Sequence, residues 1–201
     1  PELFFKKEGR HVMTKPIKGT VKRGLDKAED QELIRWLRSS QKDHAELLMI
    51  TDLERNDLAK ICLPGSVNVA SLRDIETFSQ VHHGVSTIKG KSRERLAFSD
   101  ILRALFPGGS ITGAPKIRAM EIIDQLETYP RGPYTGVIGY FGFNQEVQFN
   151  IAIRTAYTVD SDIYFHAGGG IVADSDPSIE YDELYVKAKG FVTALETLRT
   201  F

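Results

Sequence analysis

The sequence predicts an α+β protein, with antiparallel β-sheets flanked by helices, and three observations carry that reading. Extended stretches rich in Val, Ile, Thr and Phe alternate with amphipathic stretches of helical period. Successive extended stretches near the C-terminus are joined by short polar turns rather than by the long crossovers that parallel neighbours need. No internal repeat, linker or low-complexity stretch interrupts the 201 residues, so one domain over residues 1–201 is expected.

The elements follow in order. Glu2 to Val12 reads as a hairpin: apolar Leu3, Phe4 and Phe5, a turn at Lys7-Glu8-Gly9, and a return through His11 to Met13. Thr14 to Gly24 reads as a loop. Lys27 to Arg38 places Leu33, Trp36 and Leu37 on one helical face, and a longer helix is expected over Lys42 to Ile61, ended by Pro64-Gly65. Val67 to Val81 and His83 to Lys89 read as extended, and Arg93 to Phe106 as helical. Pro107 to Pro115 forms a glycine-rich loop leading into a helix over Lys116 to Leu126, where Pro115 suits a first turn because its missing N–H would be unpaired there. Gly136 to Phe143, Val147 to Val159 and Ile163 to Ala167 are three expected strands, and Pro177 to Leu198 is a final helix.

Composition excludes several function classes. With 41% hydrophobic and 26% charged residues, the chain has the make-up of an ordinary globular protein. A net charge of -1, with both signs interspersed, gives no basic stripe for nucleic acid. No apolar run approaches the roughly 20 residues of a membrane span, and no signal segment opens the chain, so a cytoplasmic protein is expected. The single cysteine, Cys62, excludes an internal disulfide and reads as a small buried apolar residue. The chain opens at Pro1 and runs straight into a strand, as a piece of a longer protein would.

Four segments carry candidate chemistry, each with a plainer alternative. Glu180, Glu183 and Lys187 share a helix face; the two carboxylates suit a hard divalent cation, or all three simply decorate a solvated surface. Gly168, Gly169 and Gly170 follow a strand, where bare backbone can receive an anion or form a sheet bend. Gly108 to Lys116 leads into a helix N-terminus, an anion site or a surface turn, and lacks the residue order of a nucleotide-binding P-loop. In Pro16-Ile17-Lys18-Gly19-Thr20, the lysine is a nucleophile if the fold buries it and a surface cation otherwise. Strand alternation sends His82 and His83 to opposite faces, one toward a site and one into structure.

Several motifs then agree in order and spacing: Ser40-Gln41-Lys42-Asp43 with Glu46, Asp52-Leu53, Arg55-Asn56-Asp57-Leu58, His83 with Val85-Ser86, Gly109 to Lys116, Asn150 to Thr155, and Ala167 to Glu183. With them the chain resembles, over nearly its whole length, the chorismate-utilising enzymes, which include anthranilate, aminodeoxychorismate, isochorismate and salicylate synthases. The resemblance implies the C-terminal part of that family's fold. It implies magnesium (Mg2+) bound by Glu46 and Glu180 with Glu183 nearby. It implies that Arg154 and the amides of Gly168, Gly169 and Gly170 hold carboxylate, with Lys187 as a supporting cation and Thr112 and Tyr140 in the pocket wall. His83 falls near the departing hydroxyl, and Glu2 matches the general acid that protonates it. Pro16 to Thr20 resembles the aminodeoxychorismate synthase branch, where anthranilate synthases typically carry alanine in place of Lys18. That branch implies Lys18 as nucleophile, amination of chorismate at ring carbon 4 toward 4-aminobenzoate and folate, and ammonia from a separate glutamine amidotransferase subunit. Amination at carbon 2, as in anthranilate synthase, and a non-catalytic chorismate-binding fragment are the competing expectations.

Overall fold

The computed structural model describes residues 2–173 and 175–198; Pro1, where the fragment reading began, Asp174 within the 167–183 motif, and residues 199–201 lie outside them. The elements are β1 (Glu2–Glu8), β2 (His11–Lys15), β3 (Ile17–Lys22), α1 (Lys27–Ser39), α2 (Gln41–Ala59), β4 (Asn68–Thr77), β5 (Val81–Lys91), α3 (Phe98–Leu105), a 3-10 turn (Gly109–Ile111), α4 (Lys116–Leu126), β6 (Val137–Phe141), β7 (Val147–Ile151), β8 (Ala156–Val159), β9 (Asp162–Phe165) and α5 (Pro177–Leu198). The expected α+β class holds. Among the described residues, no helix is long and apolar enough to cross a membrane.

Seven strands form one antiparallel sheet in the order β3-β5-β2-β1-β7-β6, with β4 on the other side of β5. Strands β2 and β3 lie end to end along one edge of β5, and Pro16, which has no N–H to give a ladder, sits at their joint. The core gathers Phe4, Phe5, Val12, Leu58, Ile88 and Phe149 between the sheet and helices α2 and α3. Helix α2 buries Leu47, Ile50, Thr51, Glu54, Asp57 and Leu58, a stripe of helical period that carries two carboxylates into the interior. Side-chain caps fix both early helices: Asp26 accepts from the amides of Ala28 and Glu29, and Ser40 from that of Asp43.

Three expectations are corrected. The segment read as a loop over 14–24 contains β3, which forms by pairing with the distant β5 rather than from local propensity. The helix expected from Arg93 begins only at Phe98, because Arg95 takes a left-handed backbone conformation (φ 52°). The single strand expected over 147–159 is two, β7 and β8, split at a corner where Arg154 has φ 53°. Strand β8 leaves the large sheet and, among the described residues, pairs only with β9. Cys62 is buried as expected, with its thiol pushed up to about 11 by desolvation.

His82 and His83 divide as alternation requires. His82 is fully buried; its Nε2 lies 2.9 Å from Asp30 Oδ1 and its Nδ1 2.8 Å from Thr77 Oγ1, tying α1 and β4 to β5. Asp30 is held well below the usual carboxylate range, first by the Arg23 guanidinium and then by His82. His83 faces the other way, toward Thr20 and the Lys18 turn.

Candidate active site

Glu2 opens β1 and lies almost wholly buried, at 5% exposure. Its Oε1 accepts from the Ile17 amide at 3.1 Å and its Oε2 from the Ser110 hydroxyl at 2.9 Å. Burial pushes its carboxyl up to about 7, against the lowering effect of the Ser110 and Ile17 hydrogen bonds. A carboxyl so placed holds a proton near neutrality and can give it to a departing oxygen. Just beyond Glu2 the β1 register shifts against both of its neighbours, between Leu3 and Lys6 on one side and between Leu3 and Phe5 on the other. Such a bulge re-aims the strand end.

Lys18 sits on a second irregularity. Ile17 pairs with Val85 and Thr20 with His83, so Lys18 and Gly19 together face the single residue Gly84. Gly19 has φ 85°, and a Cβ there would fall 2.8 Å from Leu37 Cδ1, so the turn closes against the helices only with glycine. Gly84 lets the Lys18 carbonyl pass close, since a Cβ would lie 2.7 Å from that oxygen. Thus supported, the Lys18 amine pairs with Glu46 Oε2 at 2.5 Å, with both side chains largely sheltered. His83 stands beside this turn, with Nδ1 2.8 Å from Thr20 Oγ1 and its ring tilted on Phe78; desolvation, and then nearby positive charge that includes Arg154, lowers its pKa.

The glycine strip at 168–170 joins these groups to α5. A Cβ on Gly168 would lie 2.5 Å from the Tyr134 hydroxyl; on Gly169, 3.1 Å from Glu180 Oε2 and 3.7 Å from Lys187 Nζ; on Gly170, 3.5 Å from Lys18 Nζ. Lys187 donates to the Gly168 carbonyl at 2.9 Å and pairs with Glu183 at 2.5 Å. Ser175 donates to Glu180 Oε1 at 2.7 Å. The Glu183 carboxyl is lowered by Lys187, then by Lys18 and Lys42, against its own desolvation, which places it within the electrostatic reach of the Lys18 turn. Lys18, Glu46, Gly168, Gly169, Gly170, Glu180, Glu183 and Lys187 therefore form one neighbourhood drawn from β3, α2, the loop after β9, and α5.

Of the other expected residues, Tyr140 stands apart, while Thr112 and Arg154 are bonded to backbone carbonyls. Tyr140 lies in β6 opposite Gln148, half exposed, on the sheet face away from Ile151 and Glu2. The Thr112 hydroxyl donates to the Gly108 carbonyl at 3.0 Å and closes its own turn. Arg154 donates to the Lys187 carbonyl at 2.6 Å, which braces α5, and its charge reaches both His83 and Glu183, so it borders the site. The three acids have the hard oxygen chemistry that magnesium takes. Yet Glu46, Glu180 and Glu183 each hold a partner from the protein, and among the described residues no three acids, histidines or cysteines stand together as a ready metal cage.

Sequence reasoning missed Ser110, Thr14, Glu54 and Tyr134. The glycine-rich loop over 108–116 reads as an anion site or a surface turn, and in the fold it meets two of the protein's own carboxyl groups. Ser110 bonds to Glu2, and Lys116 pairs with the buried Asp57 at 2.5 Å.

The sequence matches the chorismate binding enzyme family over residues 1–193, and the chain belongs to that family. It is 48% identical over 196 residues to aminodeoxychorismate synthase component 1 of Salmonella typhimurium, covering 98% of this chain and 43% of that protein. To anthranilate synthase component 1 of Streptomyces coelicolor it is 47% identical over 195 residues, covering 97% of this chain and 38% of that protein. The chain thus spans less than half the length of these curated relatives. Among solved structures, anthranilate synthase component I from Streptococcus pneumoniae superposes with a TM-score of 0.79 at 38% identity, covering 94% of this chain and 41% of that one. The menaquinone-specific isochorismate synthase MenF from Escherichia coli gives 0.86 at 25% identity, covering 96% of this chain and 44% of that one.

Proposed function

We propose that this chain carries the catalytic face of an aminodeoxychorismate synthase, which aminates chorismate with ammonia to 4-amino-4-deoxychorismate. The observation that supports it most is the setting of Lys18. Its amine lies against Gly170 and Glu46, and its charge is also felt by the proton-holding carboxyl of Glu2.

In this reading Lys18 gives up its ammonium proton to solvent as chorismate enters and adds as the free amine to ring carbon 2 while the ring double bonds shift and the carbon 4 hydroxyl departs. Glu2 gives that oxygen its proton, and water leaves. Ammonia then bonds to carbon 4, the double bonds shift back, and Lys18 is released as the amine, which takes a proton back from solvent. The new ammonium returns a proton to Glu2. The Gly168–Gly170 backbone and Lys187 receive the ring carboxylate, and His83 lines the side of the departing hydroxyl. Glu46, Glu180 and Glu183 would hold magnesium, whose charge would offset that of the substrate carboxylate when bound. Ammonia would come from a separate glutamine amidotransferase subunit.

Carbon 2 amination is the second reading, favoured by the nearly equal identity to anthranilate synthase component 1 of Streptomyces coelicolor. Chromatography of the product formed by the full chain from chorismate, magnesium and ammonia separates the two. We expect aminodeoxychorismate, and we expect intact mass to show a covalent adduct in the native enzyme that Lys18→Ala abolishes. Anthranilate as the product, or an adduct that survives Lys18→Ala, overturns this reading.

A further inference from the structure

Glu54 is a buried carboxyl that the proposed reaction does not use. We propose that it is a positioning residue for Glu2, an uncharged carboxyl that braces both the strand bulge behind Glu2 and the loop that hydrogen-bonds to it. The inference rests on the reading of Glu2 as the general acid.

The contacts run in two directions. Toward the sheet, Glu54 Oε2 lies 2.6 Å from Thr14 Oγ1, and the same hydroxyl lies 3.3 Å from the Leu3 carbonyl. Leu3 follows Glu2 and stands where the β1 register shifts, with Thr14 in the stretch of β2 facing that bulge. Thr14 can share its one hydroxyl proton between both acceptors only as a bifurcated bond, whereas a proton on Glu54 makes each contact a full bond: Glu54 donates to Thr14, and Thr14 donates to Leu3. Toward the loop, Gly109 lies flat against α2. A Cβ there would fall 2.9 Å from Leu53 Cδ2 and 3.4 Å from Glu54 Cγ. The next residue, Ser110, gives its hydroxyl to Glu2 Oε2. A shift of the Glu54 side chain therefore moves Glu2 from behind, through Thr14 and Leu3, and from its donor side, through Gly109 and Ser110.

The charges around Glu54 agree with an uncharged carboxyl. Asp57 from α2, and Glu2 from β1 once it has given up its proton, repel a charge there, while Lys116 at the start of α4 is already bonded to Asp57 and offers the weakest of these effects. Glu54 forms no ion pair among the described residues. Burial, and then the charge of Glu2, pushes its carboxyl up to about 8.

The test uses the full chain and measures kcat and KM for chorismate across pH. Glu54→Ala should lower kcat by about ten-fold or more, leave KM within about two-fold, and move the ionisation that limits kcat. Glu54→Gln, neutral and of the same shape, should restore kcat to within about three-fold of the native enzyme. Thr14→Val, which removes the hydroxyl link at constant volume, should reproduce the shifted pH profile and decides the matter if the alanine variant does not fold. Glu54→Gln as damaged as Glu54→Ala, or a pH profile unchanged in both Glu54→Ala and Thr14→Val, overturns the inference. Glu2→Gln is the control for the underlying reading: native turnover in that variant removes Glu2 as the acid, whereas an inactive Glu2→Gln with unaltered Glu54 variants removes only the role of Glu54.

Discussion

The two sides of the candidate site are built on different ground. Glu2 and the turn that carries Lys18 stand on the large sheet, with Ser110 on the 3-10 turn against it, backed by Phe5, Leu37 and Leu58, none of which is exposed. The opposite side, with Gly168 to Gly170, Glu180, Glu183 and Lys187, rests on a two-stranded sheet and on α5, where Ile179, Tyr181, Tyr185, Val186 and Val192 all remain exposed. The proton-handling groups are thus fixed by core packing, which sets their protonation through burial. The groups facing the expected carboxylate and cation are held by a few hydrogen bonds and ion pairs, which a ligand can exchange.

Stability measurements break this contrast most directly. Phe5→Ala removes a ring from the centre of the core and should cost about 3–5 kcal/mol in denaturant unfolding. Tyr185→Ala on α5 should stay within about 0.5 kcal/mol. Comparable losses would show that α5 is as firmly built in as the sheet. A second, smaller effect sharpens the contrast. Glu2 and Glu54 are raised from an ordinary value near 4.5 to about 7 and about 8. Between 4.5 and those values the folded state binds more protons than the unfolded state, so stability falls as pH rises. The slope should be on the order of 1 kcal/mol per pH unit for each carboxyl between pH 5 and 7. Glu54→Gln should lessen it, and a slope unchanged by that substitution would show that Glu54 is already ionised when folded.

The same division explains what the sequence made legible. Helix α2 could be read from its apolar period, and Glu46 from its motif, because both are local patterns. Strand β3 could not, since its ladder depends on β5 some sixty residues away, and Pro16 looked like an interruption rather than a joint between collinear strands. The glycines at 168–170 announced bare backbone, and the resemblance set Glu180 and Lys187 beside them; what the local pattern left out is that Lys18 lines the same strip. Glu54 was the hardest. It falls at the spacing of the buried stripe of Leu47, Ile50 and Leu58, but what it touches there, Gly109 and Thr14, comes from segments far along the chain. Tyr140 was expected in the pocket from the resemblance alone, and the strand pairing sets it opposite Gln148 on the sheet face away from Glu2.

The exchangeable side yields the smallest effect. Glu180 accepts from Ser175 through Oε1 and turns Oε2 toward Gly169, so one oxygen is tethered while the other borders the glycine strip. Glu180→Gln keeps the shape and can still accept from Ser175, but it loses the charge that would hold a divalent cation. The affinity of the full chain for chorismate, measured by titration calorimetry with and without magnesium, should fall about ten-fold in the variant with metal present, close to 1.4 kcal/mol. Without metal the two proteins should bind alike. An equal loss in both conditions would mean that Glu180 acts through the glycine strip itself, and no change in either would place the cation, and the carboxylate it would accompany, away from α5.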